Sequence, residues 1–490
     1  MTTKPAAQQL SRMSAGELLS GQPPEWSVPH AMATIRDRVK GQGTHIAVLD
    51  DDPTGTQSVH GVPVLTTWES ADLRAALRHP SNAFFVLTNS RGRSRPEAAA
   101  ISQTIATRLA DLADELGIDV EAISRSDSTL RGHFPTEIDA LQQGFGERGR
   151  RYDGVIICPC FLEAGRVTVN DVQWVREGDQ FVPAAGTEFA ADATFGYQSS
   201  NLRAWVQEKT EGRIPFEEVR SIPLADIRNG GPRRVAQLLQ EPAGRAVIVN
   251  AASYADLEVF VLGLLEAEGA GRRFLYRTGP SFVRVRAGIE PKPVLGPEDI
   301  YPDGDRPGSG LVVVGSHAAL STRQLEAAMA LGGLHPVELS VPRLLGAGRD
   351  DEIDRTVEEV AERLPDSDVV LYTSRDLVRT DDPDDPDESL TLSRSVSSAL
   401  VDVVARLDRS RPPRFLVAKG GITSSDLATE GLGVRRAEVA GQLLPGAVSV
   451  WLLTADSDFP GLPYVIFPGN VGSTETLARV VSILRERPNA

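Results

Sequence analysis

The chain has 490 residues, with 51 Lys and Arg against 67 Asp and Glu and a net charge of −16. That balance excludes a protein built mainly to coat nucleic acid or an anionic membrane, since both demand surplus cations. Apolar residues make up 41 % and charged residues 24 %, an ordinary globular composition with material for two or three domains, and no apolar run approaches the roughly 20 residues of a membrane span.

Residues 1–40 read as an N-terminal extension carrying one short helix at 15–20, stopped by Gly-Gln-Pro-Pro. The extension has no apolar stretch of the secretory type, and Cys158 and Cys160 are the chain's two cysteines, so the expected location is the reducing cytoplasm. Two thiols supply neither a disulfide framework nor a closed zinc site; they read as buried. From residue 45, short apolar runs alternate with stretches of helical period. Strands are expected at 45–49, 83–87, 155–157 and 246–250, then at 311–314, 369–372, 414–417, 448–453 and 464–467. Ile101, Ile105, Leu109, Leu112 and Leu116 share one helix face, and Val396, Leu400, Val403, Val404 and Leu407 another. This alternation predicts an α/β fold, with mainly parallel sheets flanked by helices. Residues 287–310 are rich in Pro and Gly without periodicity and read as a linker. Domains are therefore expected at 41–286 and 311–490, with an active-site cleft between them. The acidic stretch 381–388 reads as a solvated loop.

Chemistry concentrates at strand ends, where open α/β sheets bind ligands. Asp50-Asp51-Asp52-Pro53-Thr54-Gly55 follows the first strand; three adjacent carboxylates repel one another and suit bound hydroxyls, metal ions or proton transfer better than a turn alone. Thr88-Asn89-Ser90-Arg91-Gly92-Arg93 follows the second, and an arginine there grips a carboxylate or phosphate in bidentate fashion. Ser126-Asp127-Ser128-Thr129-Leu130-Arg131-Gly132-His133 precedes a helix; its hydroxyls, carboxylate and guanidinium suit a polyhydroxylated acid, whereas an N-cap needs one such group. Arg166, in Gly165-Arg166-Val167-Thr168, is placed to reach the same pocket. In the second half, Gly315-Ser316-His317, Lys419-Gly420-Gly421-Ile422-Thr423 and Pro468-Gly469-Asn470-Val471-Gly472 each close a strand. Glycines let backbone N–H groups approach phosphates, so together they describe a nucleotide cleft. Ser321-Thr322-Arg323-Gln324 reads as a capping box opening a helix. Walker A, GxGxxG, HExxH and GxSxG patterns are all missing, which disfavours a P-loop, a dinucleotide fold, a zinc protease and a serine hydrolase of the elbow type.

These motifs resemble the four-carbon acid sugar kinase family. Asp51-Asp52-Pro53-Thr54-Gly55, Thr88 to Arg91, Asp127 to Gly132 and Gly165 to Thr168 match its first half in order, and Gly315-Ser316, Gly420 to Thr423 and Gly469 to Gly472 its second. The resemblance covers residues 44–485. It implies a substrate-binding domain followed by a nucleotide-binding domain, and transfer of the ATP γ-phosphoryl group to the terminal hydroxyl of a threonate, erythronate or 3-oxo-tetronate type acid. By resemblance, Asp51, Asp52, Arg91, Asp127, Ser128, Thr129, Arg131 and Arg166 would hold the acid. Ser316, Gly420, Gly421, Ile422, Thr423 and Gly469 would hold ATP, with Lys419, Asn470 and Gly472 beside them. Asp52 is the expected base, with Asp127 the competing choice, and Mg²⁺ is expected on the ATP phosphates, with no residue assigned to it. Asp50 is an addition to the family pattern, and Asn250 stands where an Asp is common. Homo-oligomerisation stays open. So do two other readings: a kinase of another small hydroxy acid, and a nucleotide-binding regulator without turnover.

Overall fold

A computed structural model describes residues 11–241, 245–375, 386–469 and 471–488, with the backbone alone at 386–394 and 422. The chain forms two compact units, Met1–Gly55 with Trp68–Pro291 and Thr56–Thr67 with Lys292–Ala490. Sequence reading places 56–67 inside the first domain; the structure groups it with the second unit.

The first unit is built on seven strands, in the order Val219–Ile222, Ala246–Val249, Gly154–Cys158, Phe274–Thr278, Asp119–Arg125, Thr44–Asp50 and Ala83–Leu87. All pair in parallel. A parallel sheet is covered on both faces, so its strands are continuous apolar runs: Ala-Phe-Phe-Val-Leu at 83–87 is buried throughout. The helix Arg95–Leu116 starts at a Ser94/Glu97 capping box and stops at Gly117, whose φ of 66° suits glycine. Its Ile105, Leu109 and Leu112 are buried, as their spacing predicts. The strand Thr44–Asp50 lies between Asp119–Arg125 and Ala83–Leu87. The chain thus leaves it to one side and returns on the other, which opens a crevice at its carboxyl end. Four short antiparallel strands, Met13–Ser14, Gln180–Pro183, Val172–Glu177 and Arg166–Val169, form a second sheet, with Leu18, Val167, Trp174 and Leu224 in its core. Residues 13–19 therefore pack on their own unit.

In the second unit the order is Val62–Leu65, Arg436–Leu444, Val448–Leu453, Pro463–Phe467, Leu416–Lys419, Leu311–Val314, Asp368–Thr373 and Leu334–Leu339. The last five run parallel; the first three join by antiparallel pairs.

Two local expectations need correction. The helix expected to begin with a Ser321 cap begins at Ala319, and Ser321 is buried one turn inside, bonded to Gly469 O at 3.0 Å. Residues 386–388 of the acidic stretch open the helix Pro386–Ala405 rather than a loop; 381–385 lie outside the described residues. Both cysteines are buried and free, and burial pushes the Cys158 thiol up to about 12. Among the described residues no helix is long and apolar enough to cross a membrane.

Candidate functional site

At the crevice of the first unit the three aspartates separate into three environments. Asp50 ends its strand fully buried and accepts from Arg125 Nη1 at 2.9 Å. Burial pushes its carboxyl up to about 7, against the pull of Arg125 and helped by Asp51 and Asp52. Asp51, also buried, takes a fork from Arg91, with Nη2 at 2.7 Å and Nε at 3.3 Å, and a bond from Ser126 Oγ at 3.0 Å. Asp52 is the open one. Its side chain keeps 23 % exposure, against 3 % for Asp51 and 12 % for Asp127. It accepts from Thr54 N and Oγ1 and faces Arg91 Nη1 at 3.2 Å. Burial would raise its carboxyl, but Arg91 and Thr54 hold it below the usual range. Gly55 has no alternative here, because a Cβ would sit 1.7 Å from Asp50 Oδ2.

The loop 126–133 completes the cluster. Asp127 accepts from Arg131 Nε at 2.7 Å and from Thr129 Oγ1. Burial opposes its charge, but Arg91, Arg131 and Thr129 together hold it well below the usual carboxylate range. Leu130 and Gly132 have φ of 74° and 112°, and a Cβ on Gly132 would meet Ser126 Oγ at 2.8 Å and Asp51 Oδ2 at 3.2 Å. Ser128 is buried and serves the loop through its carbonyl, which accepts from Gln173 Nε2 at 2.8 Å. Arg166 lies within the electrostatic reach of Asp127, and burial lowers its pKa. The structure thus brings Asp51, Asp52, Arg91, Asp127, Thr129 and Arg131 into one network, with Arg166 beside it.

Three residues of this site escape sequence reading. Arg277 is 1 % exposed; its Nη2 donates to Asp127 O and Arg131 O, both at 3.0 Å, and its guanidinium lies 5.3 Å from the Trp205 ring. The signal was available, since an arginine inside the apolar strand Phe-Leu-Tyr-Arg-Thr is rare without a partner. Glu137, on the helix Thr136–Gly146, accepts from Ser90 Oγ at 2.5 Å; burial and the Asp51 charge push it up to about 7. Arg125 ends a strand whose sequence, Asp-Val-Glu-Ala-Ile-Ser-Arg, is too polar to read as one.

In the second unit the predicted turns also stand at the carboxyl ends of parallel strands. Lys419 is 0 % exposed. Its Nζ donates to Pro468 O and Gly469 O at 3.3 and 3.4 Å and lies 3.9 Å from the Phe467 ring centre. Burial lowers it to about 7. Gly420 has φ of 127°. A Cβ on Gly315 would meet Thr423 Oγ1 at 2.4 Å, and one on Gly469 would meet Ser316 Oγ at 2.9 Å. The turns are thus pressed together, with the Ser316 and Thr423 hydroxyls against them. Gly472 has φ of 85° and packs on Thr476. Asn470 lies outside the described residues, as does the Ile422 side chain. Two unpredicted residues tie this edge. Arg375 donates to Ser316 O and Thr373 Oγ1, both at 2.8 Å, and Gln324 Nε2 to Val471 O and Ser473 O.

Comparison with known proteins finds two domain models in succession along the chain. The model described as the sugar-binding N-terminal domain matches residues 46–286, and that described as the nucleotide-binding C-terminal domain matches 311–477. The chain is 26 % identical over 459 residues to a D-threonate kinase of Bordetella bronchiseptica, covering 91 % of this chain and 98 % of that one. It is 27 % identical over 345 residues to a D-erythronate kinase of Heliobacterium modesticaldum, covering 67 % and 70 %. A crystal structure of a Haemophilus influenzae protein of the DUF1537 family superposes with a TM-score of 0.61 at 18 % identity, covering 89 % of this chain and 100 % of that one. With both domain models matched in order, related kinases aligned over nearly the whole chain, and the same α/β fold, the protein belongs to the four-carbon acid sugar kinase family and is a phosphotransferase.

Proposed function

We propose that this enzyme transfers the γ-phosphoryl group of ATP to the terminal hydroxyl of a four-carbon sugar acid of the threonate, erythronate or 3-oxo-tetronate type. The observation that carries the reading is the cluster at the crevice of the first unit, which joins one accessible ionised carboxylate, Asp52, to guanidinium groups suited to an acid. Arg91 is already engaged by Asp51 and Asp52. Arg131 spends Nε on Asp127 and keeps its terminal nitrogens for a ligand, so Arg131 and Arg166 hold the substrate carboxylate while Asp127 and Thr129 fix Arg131. Asp52 accepts the proton of the attacking hydroxyl as its oxygen bonds to phosphorus and ADP departs. Phosphoryl transfer passes through a loose transition state and asks for alignment and charge neutralisation more than a strong base, so a carboxylate held ionised by Arg91 suffices.

The co-substrate is MgATP. Mg²⁺ would supply neutralisation of the phosphate charge as it does in phosphoryl transfer generally. Lys419 neutralises phosphate charge, and Gly420, Gly421, Gly469 and Gly472 with Ser316 and Thr423 offer the donors and close backbone approach that phosphates need.

The test is ADP release across a panel of four-carbon acids, with Asp52→Asn beside the wild type. The variant should lose about 10²–10⁴-fold in kcat with nucleotide affinity nearly unchanged. Near-normal turnover by Asp52→Asn removes the base assignment. ATP binding without ADP release on any hydroxy acid removes the kinase reading.

A further inference from the structure

The segment following the strand Gln180–Pro183 rises over the acid-binding loop, and no motif marks it. Phe189 lies with its ring centre 4.9 Å from the Arg131 guanidinium. Asp192 Oδ1 accepts from Thr194 N and Phe195 N, both at 2.9 Å, so its carboxylate is fixed before any ligand arrives. The segment is itself anchored. Tyr197 OH donates to Thr129 O at 2.7 Å, Phe195 meets the His133 ring edge-on at 4.9 Å, and Lys209 Nζ donates to Phe195 O and Gly196 O at 3.0 and 2.7 Å. Gly196 is held so close that a Cβ would lie 2.7 Å from Asp192 O.

The second oxygen, Asp192 Oδ2, stops 3.8 Å from Arg131 Nη1, with both side chains about a quarter exposed. Asp127, by contrast, closes on Arg131 Nε at 2.7 Å. Asp192 Oδ2 thus stays beyond hydrogen-bond distance of Arg131, whose terminal nitrogens the proposed function gives to the substrate carboxylate. A carboxylate seated on them places its neighbouring carbon against Asp192 Oδ2, an acceptor held in place by its other oxygen. A hydroxyl on that carbon satisfies it, while an oxo group or a bare methylene leaves lone pairs or an unpaired charge facing it.

Building on the kinase reading, we propose that Asp192, with Phe189 behind Arg131, is a specificity-determining residue that accepts a hydrogen bond from the 2-hydroxyl, and that the enzyme selects 2-hydroxy acids over their 2-deoxy and 2-oxo counterparts. Sites built to bond a hydroxyl reject the analogue lacking it far more strongly than apolar pockets reject a missing methylene.

The experiment measures kcat/KM for a 2,3,4-trihydroxybutanoate, 3,4-dihydroxybutanoate and the 2-oxo acid, using wild type, Asp192→Asn and Asp192→Ala in the full chain, with melting temperatures recorded. Asparagine keeps Oδ1 for the two backbone donors, so the loop survives, and it turns the other atom into a donor. The wild type should prefer the trihydroxy acid over the deoxy acid by more than about 100-fold. Both variants should shrink that ratio to below about tenfold, and Asp192→Asn should gain relative activity on the 2-oxo acid. Wild-type-like ratios in a folded Asp192→Asn overturn the assignment, as does a wild type indifferent to the 2-substituent. Turnover of no four-carbon acid by the wild type overturns instead the reading on which it rests.

Discussion

Lys419, one of five lysines in the chain, shows how a residue acquires its chemistry from packing. Its ammonium faces two carbonyls and an aromatic ring, burial lowers its pKa to about 7, and an arriving phosphate favours the charged form. ATP binding should therefore take up a proton above pH 7, with affinity greatest below that pH and falling toward tenfold per unit above it. Titration calorimetry on wild type and Lys419→Met isolates the effect, because the nucleotide's own ionisation is common to both; equal pH slopes for the two proteins contradict it. The Asp50 carboxyl is shifted the other way, upward. Its folded pKa of about 7 exceeds the usual value near 4, so between these pH values the folded state keeps a proton that the unfolded chain has lost. Its contribution to stability therefore falls as pH rises from about 4 to about 7. Asp50→Asn retains an acceptor for Arg125 and should flatten that slope by a few kcal/mol in urea denaturation at pH 4.5 and 7.5; an unchanged slope refutes it.

At the scale of elements, the loop 126–133 is the part whose sequence motif and conformation are inseparable. Its left-handed Gly132 stands against Ser126 and Asp51, so Gly132→Ala combines backbone strain with a clash and should cost about 1–3 kcal/mol. The damage should raise the KM for the acid while leaving nucleotide affinity in thermal shift intact; an equal loss of both shows a general folding defect instead. Arg277 supports the same loop from below. Arg277→Met removes the shared donor of two carbonyls and should lower kcat/KM by at least about tenfold, about 1.4 kcal/mol, in initial-rate assays; activity within twofold of wild type denies it this role. The loop's polar residues were legible because they stand together at one junction. Arg277, Glu137 and Asp192 were not, because each lies alone in its segment and joins the site only through pairing of distant strands or packing of a loop. The strand Asp119–Arg125 was missed for a related reason: four of its seven residues are polar, and neighbours on both sides supply the burial its composition does not announce.

For the whole molecule, the chain path decides where a fragment can be cut. Val62–Leu65 pairs with Arg436–Val439, and Thr56 Oγ1 accepts from Trp451 Nε1 at 3.0 Å in a buried contact, so the second unit contains twelve residues encoded far upstream, Thr56–Thr67. A fragment of residues 292–490 exposes the strand Arg436–Leu444 as an edge and should aggregate or melt at least about 10 °C below the same fragment carrying 56–67 by a flexible linker; equal melting temperatures disprove this dependence. The α/β class, the placement of the motifs at strand ends and the family are readable from the chain alone, because hydrophobic period and clustered polar residues are local properties of a chain. Which unit owns residues 56–67, which of three adjacent aspartates stays accessible, and which arginines are tied to carboxylates came from the folded arrangement. Strand order, burial and charge pairing are set by residues distant in sequence, and neighbours along the chain carry no record of them.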